Sequence, residues 1–269
     1  MKYKLIAFDI DGTLVNSKKE VSQATKEALH KLHDAGIHVV ISSGRPYKGV
    51  LLNADLVGRE IVPFVSCFNG GLVKEVATDD TVFSHALTND ELQSWVELAK
   101  AHDLDVHAHD DQYVIVQDAP KDQYVDVEST LNEMPIRTVD FFDGEVTAPK
   151  VMITAEPGKL DAFIATLDAS LFEKYSIMKS EPFFLEIMPK GVDKGEALAK
   201  LAESLGIDQS ETMAFGDQAN DLSMIKWAGC GVAMGNAIDE LKDNAQYVTA
   251  SNDDEGIAKA LEKLVFDAQ

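Results

Sequence analysis

The chain has 269 residues, of which 45% are apolar and 26% charged, and its formal net charge is −22. This length supports one large or two moderate domains, and the composition is that of a globular protein rather than a disordered or fibrous one. So acidic a chain lacks the basic face of a nucleic-acid binder, and no apolar run approaches the ~18 residues of a membrane helix. The start, Met1-Lys2-Tyr3-Lys4, leads into a short apolar run with no small-residue cleavage site, so a cytoplasmic protein without a membrane partner is expected. Cys67 and Cys230 belong to no C-x-x-C pair and read as small buried residues, not as a disulfide or zinc site.

Residues 5–8, Leu-Ile-Ala-Phe, predict a buried strand that ends at Asp9, with Asp11 two positions on and Gly12-Thr13 next. Ser22 is a plausible N-cap, and Ala24, Ala28, Leu29, Leu32 and Ala35 give a helical stripe that stops at Gly36. Residues 37–41 are the next β-branched run, ending in Ser42-Ser43-Gly44-Arg45-Pro46, where Pro46 suits the first turn of a helix. A third strand is expected at 61–65, ahead of Ser66-Cys67-Phe68-Asn69-Gly70-Gly71. Strand-helix-strand-helix-strand is the grammar of a parallel α/β sheet.

The middle of the chain reads differently. Asp79-Asp80 joins two short strands in a hairpin-like step, and Thr88-Asn89-Asp90-Glu91 has the spacing of a capping box that starts a helix to about residue 101. Strands are expected at 105–109, 113–116, 150–154, 175–179 and 183–187, with helices at about 121–131 and 157–167. The first pattern then resumes. Asp193 is placed to cap a helix over 194–205, and 212–215 is a strand ending in Gly216-Asp217-Gln218-Ala219-Asn220-Asp221. A helix at 222–228, strands at 231–234 and 247–249 and a closing helix at 256–266 complete the reading. The expected fold is α/β: a doubly wound, Rossmann-like parallel-sheet core from 1–82 and 189–269, with an α+β domain inserted at 83–188.

Asp9, Ser43 and Asp217 each sit at or just past the C-terminal end of an apolar strand. In a parallel α/β sheet those ends line one crevice, where ligands bind. Asp9 and Asp11, two residues apart, point roughly the same way in extended backbone. Two such carboxylates need a cation between them or a shared proton. With Asp217 and Asp221 added, the set suits a hard divalent cation, Mg²⁺ above all. The other groups favour an anion: the Ser43 hydroxyl with the Gly44 amide, the Asn220 side chain, and Lys194 at a helix start. Together they make a phosphate cradle. Two unit charges 4 Å apart repel by ~4 kcal/mol at an effective dielectric of about 20, so a carboxylate attacking a phosphate needs both the cation and Lys194.

These motifs resemble those of the haloacid dehalogenase-like superfamily of aspartate-nucleophile phosphatases. "DIDGTLV" resembles its first signature, "VVISSGR" the second, Lys194 in "GVDKG" the third and "GDQAND" the fourth. The position of the insert, with "SSGRP", "FNGG" and "LEIMPKGVDKG", is similar to the Cof-type branch with its α/β (C2-type) cap. The resemblance implies Asp9 as nucleophile and Asp11 as general acid and then base. It implies Mg²⁺ held by Asp9, Asp217 and the Asp11 backbone carbonyl. It places the phosphoryl group against Ile10 backbone, Ser43, Gly44, Lys194 and Asn220. Asp221 would hold the metal through water or orient Lys194; Arg45 and Asn69 would bind substrate or fix loops. The implied activity is Mg²⁺-dependent hydrolysis of small phosphorylated metabolites such as sugar phosphates. A phosphomutase and a non-turnover phosphometabolite-binding regulator are the alternatives; the oligomeric state is left open.

His107-Ala108-His109 puts two rings on one side of a strand. With no third ligand evident, it reads as a polar strand face, or as a substrate contact if that face meets the site. Gly229-Cys230-Gly231 enters a strand from a helix, the wrong context for a dinucleotide loop, and Trp95 and Trp227 fall on helical stripes as core residues.

Overall fold

The computed structural model describes residues 2–144 and 146–267. The chain forms two compact units: one from residues up to Arg45, Val50–Phe83 and residues from Asp193 onward, the other from Pro46–Gly49 and Ser84–Val192. The sequence places the insert at 83–188; the second return to the first unit falls a few residues later, just ahead of the Asp193 cap.

The first segment runs β1 (Leu5–Phe8), α1 (Gln23–Asp34), β2 (His38–Ser42), α2 (Tyr47–Val57), β3 (Phe64–Cys67), β4 (Leu72–Glu75) and β5 (Thr81–Ser84). Ser22 caps α1 as its side chain accepts from the Thr25 amide. The third strand begins three residues later than expected. Residues 59–61 form a tight 3₁₀ turn, and Pro63 has no N–H to give to a ladder.

The insert runs α3 (Asn89–Ala101), β6 (Asp105–His109), β7 (Val114–Val116), α4 (Tyr124–Leu131), β8 (Ile136–Thr138), β9 (Val151–Thr154), α5 (Pro157–Ile164), α6 (Ala169–Lys174), β10 (Tyr175–Glu181) and β11 (Phe184–Pro189). The Thr88–Glu91 capping box at α3 is complete in both directions. A six-stranded sheet, ordered β10-β11-β9-β6-β7-β8, is antiparallel except at β7–β8. One face carries Ala108, Ile115, Val151, Ile153, Leu185 and Ile187, packed with the apolar sides of α3 and α5. The opposite face meets α4 through Val114, Val116 and Val125.

The second segment runs α7 (Lys194–Leu205), β12 (Thr212–Gly216), α8 (Leu222–Trp227), β13 (Cys230–Ala233), α9 (Asp239–Asn244), β14 (Tyr247–Val248) and α10 (Gly256–Leu261). Asp193 caps α7, its Oδ1 accepting from the Glu196 amide at 2.8 Å. The core sheet has eight strands in the order β14-β13-β12-β1-β2-β3-β4-β5. It is parallel from β14 to β3 and antiparallel between β3 and β4. β1, β3 and β12 are buried along their whole lengths, and β2 from Val39 onward, which is why they read as continuous apolar runs rather than alternating ones. Phe8 and Phe215 stack with ring centroids 4.9 Å apart and lock the central pair.

The strand order reverses direction between β1 and β12. From β1 the chain proceeds to β2 and β3 on one side; from β12 it proceeds to β13 and β14 on the other. That reversal opens a crevice at the carboxyl ends of the two strands. Asp9 follows β1 directly and Asp217 follows β12 directly, so topology alone brings them to the same place. Cys67 and Cys230 are both buried thiols and are not joined in a disulfide. Among the described residues no helix is long and apolar enough to cross a membrane.

Candidate active site

Asp9 continues the β1 ladder through its amide, which donates to the Phe215 carbonyl at 3.1 Å. Its carboxylate is buried, and its Oδ1 lies 2.5 Å from Lys194 Nζ. The same ammonium donates to Asp221 Oδ1 at 2.6 Å. Lys194 is 1% exposed, an extreme value for a lysine, and it is held there by two carboxylates. Burial alone would lower its pKa, but Asp9 and Asp221 outweigh burial and hold it charged.

Asp221 has its own task. Its Oδ2 accepts from the Asp217 amide at 2.9 Å and the Gln218 amide at 3.0 Å, which folds the loop after β12. A Cβ on Gly216 would lie 2.5 Å from the Asp221 Cβ, so this loop closes only over a glycine. Asp217 then turns toward β1, where its Oδ1 accepts from the Thr13 hydroxyl at 3.0 Å and its Oδ2 from the Gln218 side-chain amide at 3.2 Å. Gly12 has φ +79°, and a Cβ there would sit 2.3 Å from Asp217 Oδ2. The glycine after Asp11 is thus needed twice, for its backbone angle and for the approach of Asp217.

One oxygen from each of Asp9, Asp217 and Asp221 lies within 4.8 Å of the others, and all three residues are buried. Three carboxylates against one ammonium leave a net negative charge in a dry site. Burial pushes the Asp9 carboxyl up, Lys194 opposes it, and Asp221 and Asp217 reinforce it, to about 7. Asp217 is likewise raised, by burial first and then by Asp221. An oxygen-only, over-acidic cluster of this kind fits a hard divalent cation. Asp9 and Asp217 are the better ligands, because Asp221 already serves Lys194 and two amides.

Asp11 stands apart from this cluster. Arg45 Nη2 donates to its Oδ2 at 2.9 Å and its Oδ1 at 3.1 Å, and Lys19 Nζ to its Oδ1 at 2.7 Å. Its side chain is 44% exposed. Burial raises its pKa, but Lys19 and Arg45 outweigh burial and hold it below the usual carboxylate range. The Ile10 carbonyl accepts from the Thr13 and Val15 amides, so the Ile10 amide is the group that residue can offer an anion.

Ser43, Gly44, Asn69 and Asn220 form a further group past β2 and β3. The Ser43 amide donates to the Ser66 carbonyl and its carbonyl accepts from the Asn69 amide, both at 2.9 Å. The Ser43 side chain is buried, and its Oγ accepts from the Arg45 amide at 3.3 Å. Asn220 Nδ2 donates to Asn69 Oδ1 at 3.1 Å, and Asn69 has φ +53°. A Cβ on Gly44 would be 3.1 Å from the Asn69 side chain. Asn69 thus ties the β2 loop to the β12 loop. Lys19, Thr13 and Gln218 join the site from outside the sequence-based set. Thr13 was within reach of sequence reasoning, since a hydroxyl directly after Asp-Gly sits beside a strand-end acid.

The model of the haloacid dehalogenase-like hydrolase family matches residues 6–261 of the chain. A haloacid dehalogenase-like hydrolase from Bacteroides thetaiotaomicron superimposes with a TM-score of 0.87 at 38% identity, covering 97% of this chain and 99% of that one. The 5-amino-6-(5-phospho-D-ribitylamino)uracil phosphatase YitU of Bacillus subtilis (strain 168) is 30% identical over 269 residues, 96% of each chain. The HAD subclass IIB sugar phosphatase BT4131 superimposes with a TM-score of 0.75 at 25% identity, covering 97% of this chain and 98% of that one. The site built on β1 and β12 and the family match agree: the chain belongs to the haloacid dehalogenase-like hydrolases of the Cof-type branch, and it is a phosphatase.

Proposed function

We propose that the protein is a Mg²⁺-dependent phosphomonoesterase for small phosphorylated metabolites of the sugar-phosphate class, acting through a phosphoryl group carried on Asp9. The observation that carries this reading is the buried Asp9–Lys194–Asp221 triad beside Asp217, at the strand-order reversal. Sugar phosphates are favoured because BT4131 is a sugar phosphatase and YitU acts on a phosphorylated ribityl chain.

Asp9 and Asp217 would hold Mg²⁺, with the Asp11 backbone carbonyl; when bound, the ion would offset charge on the phosphoryl oxygens and on Asp9. Lys194 neutralises Asp9 and is available to the incoming phosphoryl group, and Asp221 fixes its direction. Asp9 Oδ attacks phosphorus in line with the leaving oxygen and displaces an alcohol. The Ser43 hydroxyl, the Gly44 and Ile10 amides and the Asn220 side chain hold the phosphoryl oxygens. Asp11 gives a proton to the leaving oxygen and then takes one from the water that hydrolyses the aspartyl phosphate. A panel of phosphorylated sugars, polyols and nucleotides, followed by inorganic phosphate release, tests the reading. Release that needs Mg²⁺, stops with EDTA and is lost in Asp9→Asn supports it; full activity in Asp9→Asn overturns it.

A further inference from the structure

Within the inserted unit, β6 places His107 and His109 on the face that meets α4, and α4 places Glu128 opposite them. All three are buried, at 0%, 2% and 6% exposure. His109 Nε2 is 3.0 Å from Glu128 Oε1. One ligand atom from each residue lies within 4.8 Å of the others. The two rings stand 5.6 Å apart at 76°, so they converge edge to face rather than stack. The third ligand absent from the sequence pattern is thus supplied by a helix about twenty residues further on.

His107 gives the second observation. Both of its ring nitrogens are buried, and neither has a hydrogen-bond partner among the described residues. A neutral imidazole carries one donor and one acceptor, and leaving both unsatisfied in a dry interior is unfavourable. Burial, first, and then His109 keep His107 neutral, which is the form that binds metal. Glu128 is ionised, because His109 and Lys150 outweigh the effect of burial on it. Lys150, the lysine that acts on both His107 and Glu128, is itself paired with Glu186 at 3.2 Å.

We propose that His107, His109 and Glu128 form a second metal site, which takes Zn²⁺ or a similar borderline divalent ion. Two imidazole nitrogens and one carboxylate are the ligand set that favours Zn²⁺ over Mg²⁺, whereas the all-oxygen cluster at Asp9 and Asp217 favours the reverse. Metal–ligand bonds of about 2.0–2.2 Å require the three atoms to draw together, and the histidine rings and the Glu128 side chain are what must turn. The ion would join β6 to α4. Its role is structural, so the proposal does not depend on the phosphatase reading.

The test uses the full chain, stripped with chelator and then saturated with Mg²⁺ so that the carboxylate cluster is filled. Zn²⁺ uptake is measured by equilibrium dialysis, and Co²⁺ is added separately as a spectroscopic probe. The expected result is one Zn²⁺ per chain that excess Mg²⁺ does not displace, and strong visible Co²⁺ absorption from a nitrogen-containing site. H107Q and E128Q weaken the uptake by at least about 100-fold, beyond the loss of an outer partner, and D217N leaves it unchanged. No Mg²⁺-resistant Zn²⁺ on the unmodified protein overturns the proposal, since water alone would then satisfy His107. So does uptake lost in D217N but kept in H107Q and E128Q. The unmodified protein decides the question even if a variant fails to fold.

Discussion

Arg45 grips both carboxylate oxygens of Asp11, at 2.9 and 3.1 Å, while Asp9, two residues earlier, is gripped by Lys194. The neighbouring acids therefore live in opposite environments. Asp9 is buried and pushed up; Asp11 is half-exposed and held down. In the metal-free protein both shifts oppose the proposed roles: a bound cation must free the Asp9 carboxylate of its proton, and Asp11 must gain one before it can act as an acid.

The Arg45–Asp11 pair sets a pH dependence. Asp11 must be protonated to act as acid, and Lys19 and Arg45 lower its pKa, so the protonated fraction falls early as pH rises. On alkyl phosphates, whose leaving groups need the proton, kcat/KM should decline with rising pH. Arg45→Gln raises the Asp11 pKa and should move that decline to higher pH. Aryl phosphates, with better leaving groups, should depend less on Asp11; Asp11→Asn should cost alkyl substrates at least about tenfold more than aryl ones. Equal losses on both substrate types would remove Asp11 from the acid role.

Lys194→Met should destabilise the metal-free protein by about 3–5 kcal/mol, because it leaves Asp9 and Asp221 buried without their shared cation. Urea unfolding without Mg²⁺ measures this. An unchanged midpoint would mean that the pair is not stabilised by the lysine.

Gly12→Ala tests the close approach of the two strand ends. The left-handed backbone alone costs roughly 1–2 kcal/mol for a residue with a Cβ, and that atom would meet Asp217 at 2.3 Å. Asp217 must then move, so Mg²⁺ affinity should fall more than stability does. Titration calorimetry and urea unfolding on the same variant separate the two effects.

Mg²⁺ binding should be coupled to proton release. The Asp9 carboxyl is raised to about 7 in the metal-free protein. Below that pH it holds a proton that a cation must displace; above it the carboxylate is free. Affinity should therefore rise as pH increases toward about 7 and level off beyond. For stability the sign is opposite: the raised pKa favours the metal-free fold at acid pH, and that advantage disappears between the ordinary carboxylate range and about 7. Calorimetry in buffers of different ionisation enthalpy reads the released proton. A pH-independent affinity with no release would contradict the burial of Asp9 as an ionisable ligand.

Much of this was legible in the sequence because it is local. The Ser22, Thr88 and Asp193 caps each follow from a side chain three residues before the amide it accepts from. Asp9 and Asp217 follow from apolar runs that stop at an acid. The missed elements are α6, β8 and α9, which are short and carry little periodicity. What sequence could not place were contacts made across the fold. Asn220 meets Asn69, 151 positions away. Arg45 and Lys19 meet Asp11, and Glu128 joins the histidines only because α4 packs on β7, beside β6. No local spacing encodes those encounters; they depend on how helices lie over the sheets.

The most direct measurement is to find the phosphoryl group. The enzyme is mixed with Mg²⁺ and a turned-over sugar phosphate, quenched with acid during turnover, digested and mapped by mass spectrometry. A phosphate that survives the cold acid quench but is released by base or hydroxylamine is expected on the peptide containing Asp9, and is absent from Asp9→Asn. Phosphate on another residue, or steady turnover with Asp9 never modified, would contradict it.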